Sequence, residues 1–365
     1  MKSILLTSTA LVAFAGAAAA DGHAAVSNAL SGTLGYQSEI DGIGEDGFYW
    51  EGNLKTTATA TLDNGITAGA YFEITVAGDD GAQGNDGGQD LVSSDFVVSL
   101  TSDTASLFFG DTGMAAQKHW VSAGDMEADG FSTGSDDAVL RGDVSIAGVD
   151  ASVSVVANDD ANDTEQLSFG AGASFGAISV SAGYQAEASS GYTNGSGDFN
   201  NSEIFGVSAS GSFAGATVTL AYASNQTADT SSTGIKVAYP FGPVTATAYY
   251  VMEEGTGGDE PNIGVNLAYA NGPLAASVDV QDDQGTTKYK VEGSYDLGNG
   301  LTVLAGVLNE NEGDDVDYYV AGKYDLGGGA SVLAAYAGDE DGDQGDEIGA
   351  GEYDPGMTVE VSFSF

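Results

Sequence analysis

Asp125, Glu127 and Asp129 fall in one short run, and Lys118, His119 and Trp120 form another a few positions before them. Paired carboxylates can divide the roles of general acid and base. In a chain with 54 Asp and Glu, however, neighbouring carboxylates arise by chance. The partners that acid–base or nucleophilic chemistry needs are scarce. There are 2 histidines, of which His23 stands close to the small-residue stretch Ala18-Ala19-Ala20, and cysteine is absent. Neither a nucleophile elbow nor a phosphate-binding Gly-Lys motif occurs. The residues therefore point away from an enzyme. With 8 Lys and Arg and a net charge of −46, the chain is also ill-suited to nucleic acid, whose phosphates call for positive charge.

The few bases are informative by their neighbours. In WEGNLKTTATATL, Trp50, Leu54, Ala58, Ala60 and Leu62 share one parity, while Lys55 falls on the other with Glu51, Asn53, Thr57 and Thr59. In KYKVEGSYDLG, Tyr289, Val291, Tyr295 and Leu297 oppose Lys288, Lys290, Glu292, Ser294 and Asp296. Arg141 opposes Leu140, Val144 and Ile146, and Lys236 and Lys323 take the less apolar parity of their own segments. Side chains of a strand alternate between faces, so each of these stretches reads as a strand with one oily and one wet side. The chain ends in the same way, with Met357, Val359, Val361, Phe363 and Phe365 on one parity and Thr358, Glu360, Ser362 and Ser364 on the other. Exposing Lys or Arg to lipid at mid-membrane costs about 2–4 kcal/mol, which gives the segregation of the bases a physical reason. A sandwich core would impose a similar segregation.

The elements that would hold these residues are marked by their connections. Tight ones occur at Asp63-Asn64-Gly65, Ser102-Asp103-Thr104, Phe175-Gly176-Ala177, Phe213-Ala214-Gly215, Phe241-Gly242-Pro243, Asn271-Gly272-Pro273, Gly298-Asn299-Gly300 and Gly327-Gly328-Gly329. Turns of this composition let a hairpin reverse in a few residues. Longer acidic connections, Gly78 to Asp90, Ala157 to Glu165, Glu253 to Pro261 and Gly338 to Gly356, broadly alternate with them. Alternate connections of an up-and-down sheet lie at opposite ends, so one rim should carry short turns and the other long acidic loops. All 5 prolines sit in or beside connections, as strand pairing requires. The segments number about 20, each close to the length a tilted membrane strand needs. The expected fold is all-β, antiparallel and up-and-down, with a transmembrane β-barrel favoured over a large soluble β-sandwich by the segregation of the bases.

At the N-terminus, Lys2, an apolar run from Ile4 to Ala15 and the small residues Ala18-Ala19-Ala20 read as a secretory signal peptide over residues 1–20. Residues 21–365 then form the barrel, with 7 basic against 54 acidic residues and a net charge of −47. Without cysteine, no disulfide framework is available to the exported chain.

These features together resemble a Gram-negative general porin of the Rhodobacter, or alphaproteobacterial, type. The resemblance is carried by the signal peptide, the hairpin series, the related YDLGNG and YDLGGGASV turns, the SLFFGDTG segment before a long connection, and the terminal VSFSF. It implies a barrel in the cell outer membrane, a homotrimer, contact with membrane lipid and lipopolysaccharide, and diffusion of small hydrophilic solutes and ions. It also implies 16 strands, fewer than the connections suggest. In that family the connection after the fifth strand folds inward and narrows the pore, which corresponds to about 112–135 here. This would place Asp125, Glu127, Asp129 and Lys118 at a constriction, with Lys55, Arg141, Lys236, Lys288, Lys290 and Lys323 opposite them on the pore wall. An ordinary exposed loop, and local ion pairs such as Lys290 with Glu292 or Arg141 with Asp143, are the plainer readings of the same residues. Phe365 corresponds to the aromatic terminus that the outer-membrane assembly machinery reads.

A water-filled lumen under an acidic rim should prefer cations, because such a rim concentrates them. No cofactor is expected. Calcium bound by the loops is an alternative for DEDGDQGDE, from Asp339 to Glu347, whose oxygens suit that ion. The stretch departs from an EF-hand at its sixth position, where Gln344 replaces the glycine, and a solvated charge run is the favoured reading. An alternative for the whole chain is a secreted acidic β-rich calcium-binding surface protein or adhesin.

Overall fold

The computed structural model describes residues 24–38, 47–79, 90–134, 138–158, 163–188, 199–255, 260–309, 316–338 and 353–365. The signal peptide expected over residues 1–20 and the acidic stretch from Asp339 to Glu347 lie outside the described residues. The first strands are β1 (Ala24–Ser38), β2 (Gly47–Thr61), β3 (Thr67–Asp79), β4 (Asp90–Thr101) and β5 (Ala105–Asp111). A short helix α1 (Ala115–His119) and a 3-10 turn (Glu127–Asp129) precede β6 (Ala138–Ile146), β7 (Val149–Asn158), β8 (Asp163–Phe175), β9 (Ile178–Gln185) and β10 (Ile204–Phe213). There follow β11 (Ala216–Asn225), β12 (Thr230–Phe241), β13 (Val244–Glu254), β14 (Asn262–Asn271) and β15 (Leu274–Asp283). The series closes with β16 (Thr286–Gly298), β17 (Leu301–Asn309), β18 (Asp317–Gly327), β19 (Ala330–Gly338) and β20 (Gly356–Ser364).

Each strand pairs antiparallel with the next, and β20 pairs with β1 from Ser31↔Ser364 to Ser38↔Met357, so the sheet closes on itself. The described residues thus form one 20-stranded barrel, the number the connections suggest and not the 16 that the resemblance implies. Closure leaves no strand edge unpaired, the condition for a sheet to cross hydrocarbon. No described helix is long and apolar enough to cross a membrane.

Two rims follow from the connections. Every tight connection expected from the sequence joins an even-numbered strand to the next odd-numbered one, and all lie at one end. Ala147-Gly148, between β6 and β7, belongs with them; φ values of 55° and 81° make it a primed turn, matched to strand twist. The strand ends that the longer connections join lie at the other end, together with the short turns at 226–229 and Gln284-Gly285.

Strand register places the apolar parity outside. Leu34 pairs with Val361, Leu220 with Ile235 and Val320 with Tyr336, and all remain solvent-accessible at the barrel exterior. Such a continuous apolar exterior fits hydrocarbon. Phe175, Phe213 and Phe241 project from the short-turn rim together with Phe365, where an aromatic girdle is expected. The buried apolar clusters lie instead on the inner face. Met114 packs with Val139 and Val156, and Ala123, Met126 and Ala128 pack with Ala221, Ala223 and Val251. The lumen wall and the connection laid against it thus share the packed interior.

Candidate functional site

The connection after β5 is held on the inner wall by its own backbone. The N–H groups of Ala115 and Ala116 donate to the hydroxyls of Ser154 and Ser168, at 2.9 and 2.8 Å. Ala128 N–H donates to Ser232 Oγ at 2.9 Å, and Ser132 N–H to Gln185 Oε1 at 2.8 Å. Asn262 Nδ2 donates to the Asp125 carbonyl at 3.1 Å. These wall residues share the parity opposite to the exposed apolar one, and they come from β7, β8, β9, β12 and β14. Glycines give the segment room: Gly170, Gly183, Gly206 and Gly234 lie under it. At Gly206 a Cβ would meet the Trp120 ring at 2.4 Å, so only a glycine admits that ring. Trp120 in turn packs against Phe131, with ring centroids 5.5 Å apart.

Short backbone segments present the three acids. Oxygens of Asp125 and Glu127 lie within 4.8 Å of one another and of an oxygen of Asp283 on β15. Burial raises the pKa of Asp125, and the Asp283 charge adds to the effect while Lys288 opposes it. Burial likewise raises Glu127, with Asp125 and Asp283 contributing. Asp129 is pushed up to about 6, chiefly by burial, although Trp120 Nε1–H donates to its Oδ2 at 2.8 Å and favours the charged form. The result is a concentration of negative charge on the luminal side of the connection.

The bases fall on the inner face, each in its own setting. Lys55 stands 2.9 Å from Glu73, Lys288 2.7 Å from Asp283, and Arg141 Nε 3.1 Å from Asp143. Arg141 also lies over the Phe108 ring and donates to the Gly113 carbonyl, which ties it to the root of the connection. Lys236 stands opposite Thr219 and Tyr249, and Lys323 opposite Thr302 and Leu333. Lys290 stands opposite Asp279 and Leu308. Among the bases expected on the wall, two lie close to the connection. Lys288 adjoins the acids through Asp283, and Arg141 sits at the other end of the segment beside Lys118. Lys118 itself is drawn to the wall, 2.7 Å from Asp143. His119 bonds Ser152 Oγ at 2.8 Å, and its pKa is lowered by burial and by the Lys118 charge.

Sequence reasoning missed Asp283 and Glu253. The first completes the acid cluster, and the second accepts from Glu127 N–H at 3.2 Å and from Ser232 Oγ at 2.5 Å. Both share the inward parity of their strands, which was readable, but their proximity to 125–129 depends on how the barrel closes. Phe365 lies at the closing seam. Its N–H donates to Leu30 O at 2.8 Å and its carbonyl accepts from Leu30 N–H at 3.1 Å, with the ring exposed.

A family model described as Gram-negative porin matches residues 7–344. No curated protein matches the chain. Among solved structures, a mutant porin from Rh. blastica is similar at 17% identity and a TM-score of 0.47, covering 93% of this chain and 100% of that one. A triple mutant of the Rhodopseudomonas blastica porin is similar at 18% identity and a TM-score of 0.47, with the same coverage.

Proposed function

The chain belongs to the Gram-negative porin family, and from that premise we propose a cation-preferring outer-membrane channel in which the 112–135 connection forms the constriction. Its lumen admits small hydrophilic solutes and ions by diffusion. The observation that carries the cation preference is the cluster of Asp125, Glu127 and Asp283, whose carboxylate oxygens lie within 4.8 Å of one another beside the lumen. Charge gathered beside a narrow water-filled path with walls of low dielectric is felt strongly by a passing ion, and carboxylate rings select cations on this principle. Lys55, Arg141, Lys236, Lys288, Lys290 and Lys323 modulate the field. Those bound to wall acids act as local dipoles that orient polar solutes. The carboxylates of the long-loop rim attract cations toward the entrance and, through divalent ions, meet lipopolysaccharide.

The functional unit in this reading is a homotrimer. Asn28 and Thr56 are joined by a 2.9 Å hydrogen bond on the outward parity, in register with Leu30, Leu54 and Phe72. An amide with spare donors is costly in hydrocarbon. A second copy laid over β1 to β3 would satisfy it, and the small outward residues Ala58, Ala60, Ala68 and Ala70 would let the backbones approach. Swelling of liposomes carrying the purified protein, in sugars of increasing size, tests the diffusion route. Uptake that stops above a size limit is expected, and impermeable liposomes would overturn the reading.

A further inference from the structure

Between α1 and the short-turn rim, the inner wall of β7 to β10 holds a recess of about 420 Å³. A volume of this order is that of a small-molecule site, on the scale of about 300–1,000 Å³. One cross-strand row runs beneath it: Asp150 on β7 stands opposite Gly172 on β8, Gly172 opposite Ser181 on β9, and Ser181 opposite Ser208 on β10. The glycine leaves a hollow between the carboxylate and the hydroxyls. His119 reaches over that hollow, its Nδ1 lying 3.6 Å from where a Cβ at position 172 would stand. Lys118 and Val121, also from the connection, line the recess as well.

The polar groups around this hollow retain bonding capacity. The hydroxyls of Ser181 and Ser208 lie 2.7 Å apart, and those of Ser174 and Ser179, next to the short turn, 2.9 Å apart. Each pair consumes one hydroxyl proton and leaves the other for a solute. The charged side chains lining the recess are one of each sign, Lys118 and Asp150. Lys118 meets Asp143 at 2.7 Å, and its ammonium carries further N–H donors. Asp150 makes no ion pair or side-chain hydrogen bond among the described residues. His119, bonded to Ser152 Oγ at 2.8 Å and lowered in pKa by burial and by the Lys118 charge, is uncharged at neutral pH. An adjoining recess of about 380 Å³ shares Lys118, His119 and Asp150 but adds Asp103 and Asp143, an acidic excess that the first lacks.

We propose that this recess binds small zwitterions, molecules that carry one ammonium and one carboxylate a few bonds apart, as amino acids do. The ammonium meets Asp150, the carboxylate meets Lys118, and the body lies over Gly172 with the serine hydroxyls beside it. A simple cation satisfies Asp150 and is opposed by Lys118, a simple anion meets the reverse, and a neutral solute engages the hydroxyls alone. The inference rests on the channel reading, because it requires this wall to face a water-filled path. Its consequence is a saturable step for zwitterions in a channel that passes simple ions without delay.

Single-channel recording of the purified full chain in planar bilayers tests it, with β-alanine as probe. Propylammonium, propionate and propionamide serve as comparison solutes that carry one charge, the other, or neither. β-Alanine should produce concentration-dependent, saturable current reduction at concentrations where the three comparison solutes produce none. Asp150→Asn should raise the half-effective concentration about tenfold or more, the loss expected for one charge-assisted hydrogen bond. Lys118→Gln should weaken the effect of β-alanine similarly and, by removing the opposing charge, let propylammonium reduce the current. Glu360→Gln, at an inward carboxylate on β20, should leave the response to β-alanine intact. An equal response to β-alanine in the parent and in Asp150→Asn would overturn the recess proposal while leaving the channel intact. An equal response of the parent to propionamide, or a conducting parent indifferent to β-alanine, would do the same. Absence of conductance would overturn the channel reading and the proposal with it.

Discussion

A methyl group placed on Gly170 would stand 2.0 Å from the carbonyl oxygen of Ala115. The connection after β5 is therefore seated on the wall at backbone contact, closer than any side chain at position 170 would allow. Gly170→Ala must push α1 toward the pore axis, at a cost of about 1–3 kcal/mol for overpacking. Single-channel conductance should fall and open-channel noise should rise, while the heat-dependent gel mobility of a closed barrel persists. Unchanged conductance would show that the segment does not bound the ion path.

The acid cluster predicts opposite effects for its two kinds of member. Asp125→Asn, Glu127→Gln and Asp283→Asn should each lower the cation-to-anion permeability ratio, on the order of a factor of two per charge. Lys288→Gln frees Asp283 from its 2.7 Å partner and should raise the ratio. Reversal potentials in a salt gradient read both signs. A fall in the ratio for Lys288→Gln would contradict the assignment.

Selectivity should also titrate. Asp129, held at about 6, is neutral below that value and charged above it, so its contribution to cation preference is lost as pH falls through about 6. The neutral form is the one its buried setting favours. Its contribution to loop stability is thus full below the ordinary carboxylate value of 3.8 and is lost as pH rises through about 6. Reversal potentials measured over about two pH units either side of that step should show a transition that Asp129→Asn removes. A profile unchanged by the substitution would place the titrating group elsewhere.

The seam gives a prediction about assembly. Phe365→Ala keeps the backbone pair with Leu30 and removes only the ring. Refolded in detergent, it should form a closed barrel of nearly parental stability, yet accumulate poorly in the outer membrane of cells. Deleting Phe365 also removes the 2.8 and 3.1 Å hydrogen bonds, costing about 1–3 kcal/mol in the refolded protein. Normal accumulation of Phe365→Ala would remove the assembly role from this ring.

Much of this was legible in the sequence for a local reason. The faces of β2, β16 and β20 follow from alternation, and the rims from turn chemistry at sites such as Gly298-Asn299-Gly300. Ala147-Gly148 escaped because alanine rarely adopts a positive φ and so does not announce a turn. Parity placed Lys288 and Arg141 inside the barrel, and the pair of Arg141 with Asp143 was among the readings of the sequence, but the approach of Asp125 and Glu127 to Asp283 and of Lys118 to Asp143 was not. Those neighbours are set by where the loop crosses the wall. Gly170 and Gly206 carry the same lesson: within their strands they read as weak positions, and only the segment packed over them explains the missing side chains.

The proposed channel is a water-filled path whose narrowest part favours cations. Its most direct measurement is the conductance of the purified protein in a planar bilayer separating two concentrations of potassium chloride. Stepwise conductance increments and a reversal potential of the sign set by potassium flow are expected. No increments, or a reversal potential of the sign set by chloride, would contradict it.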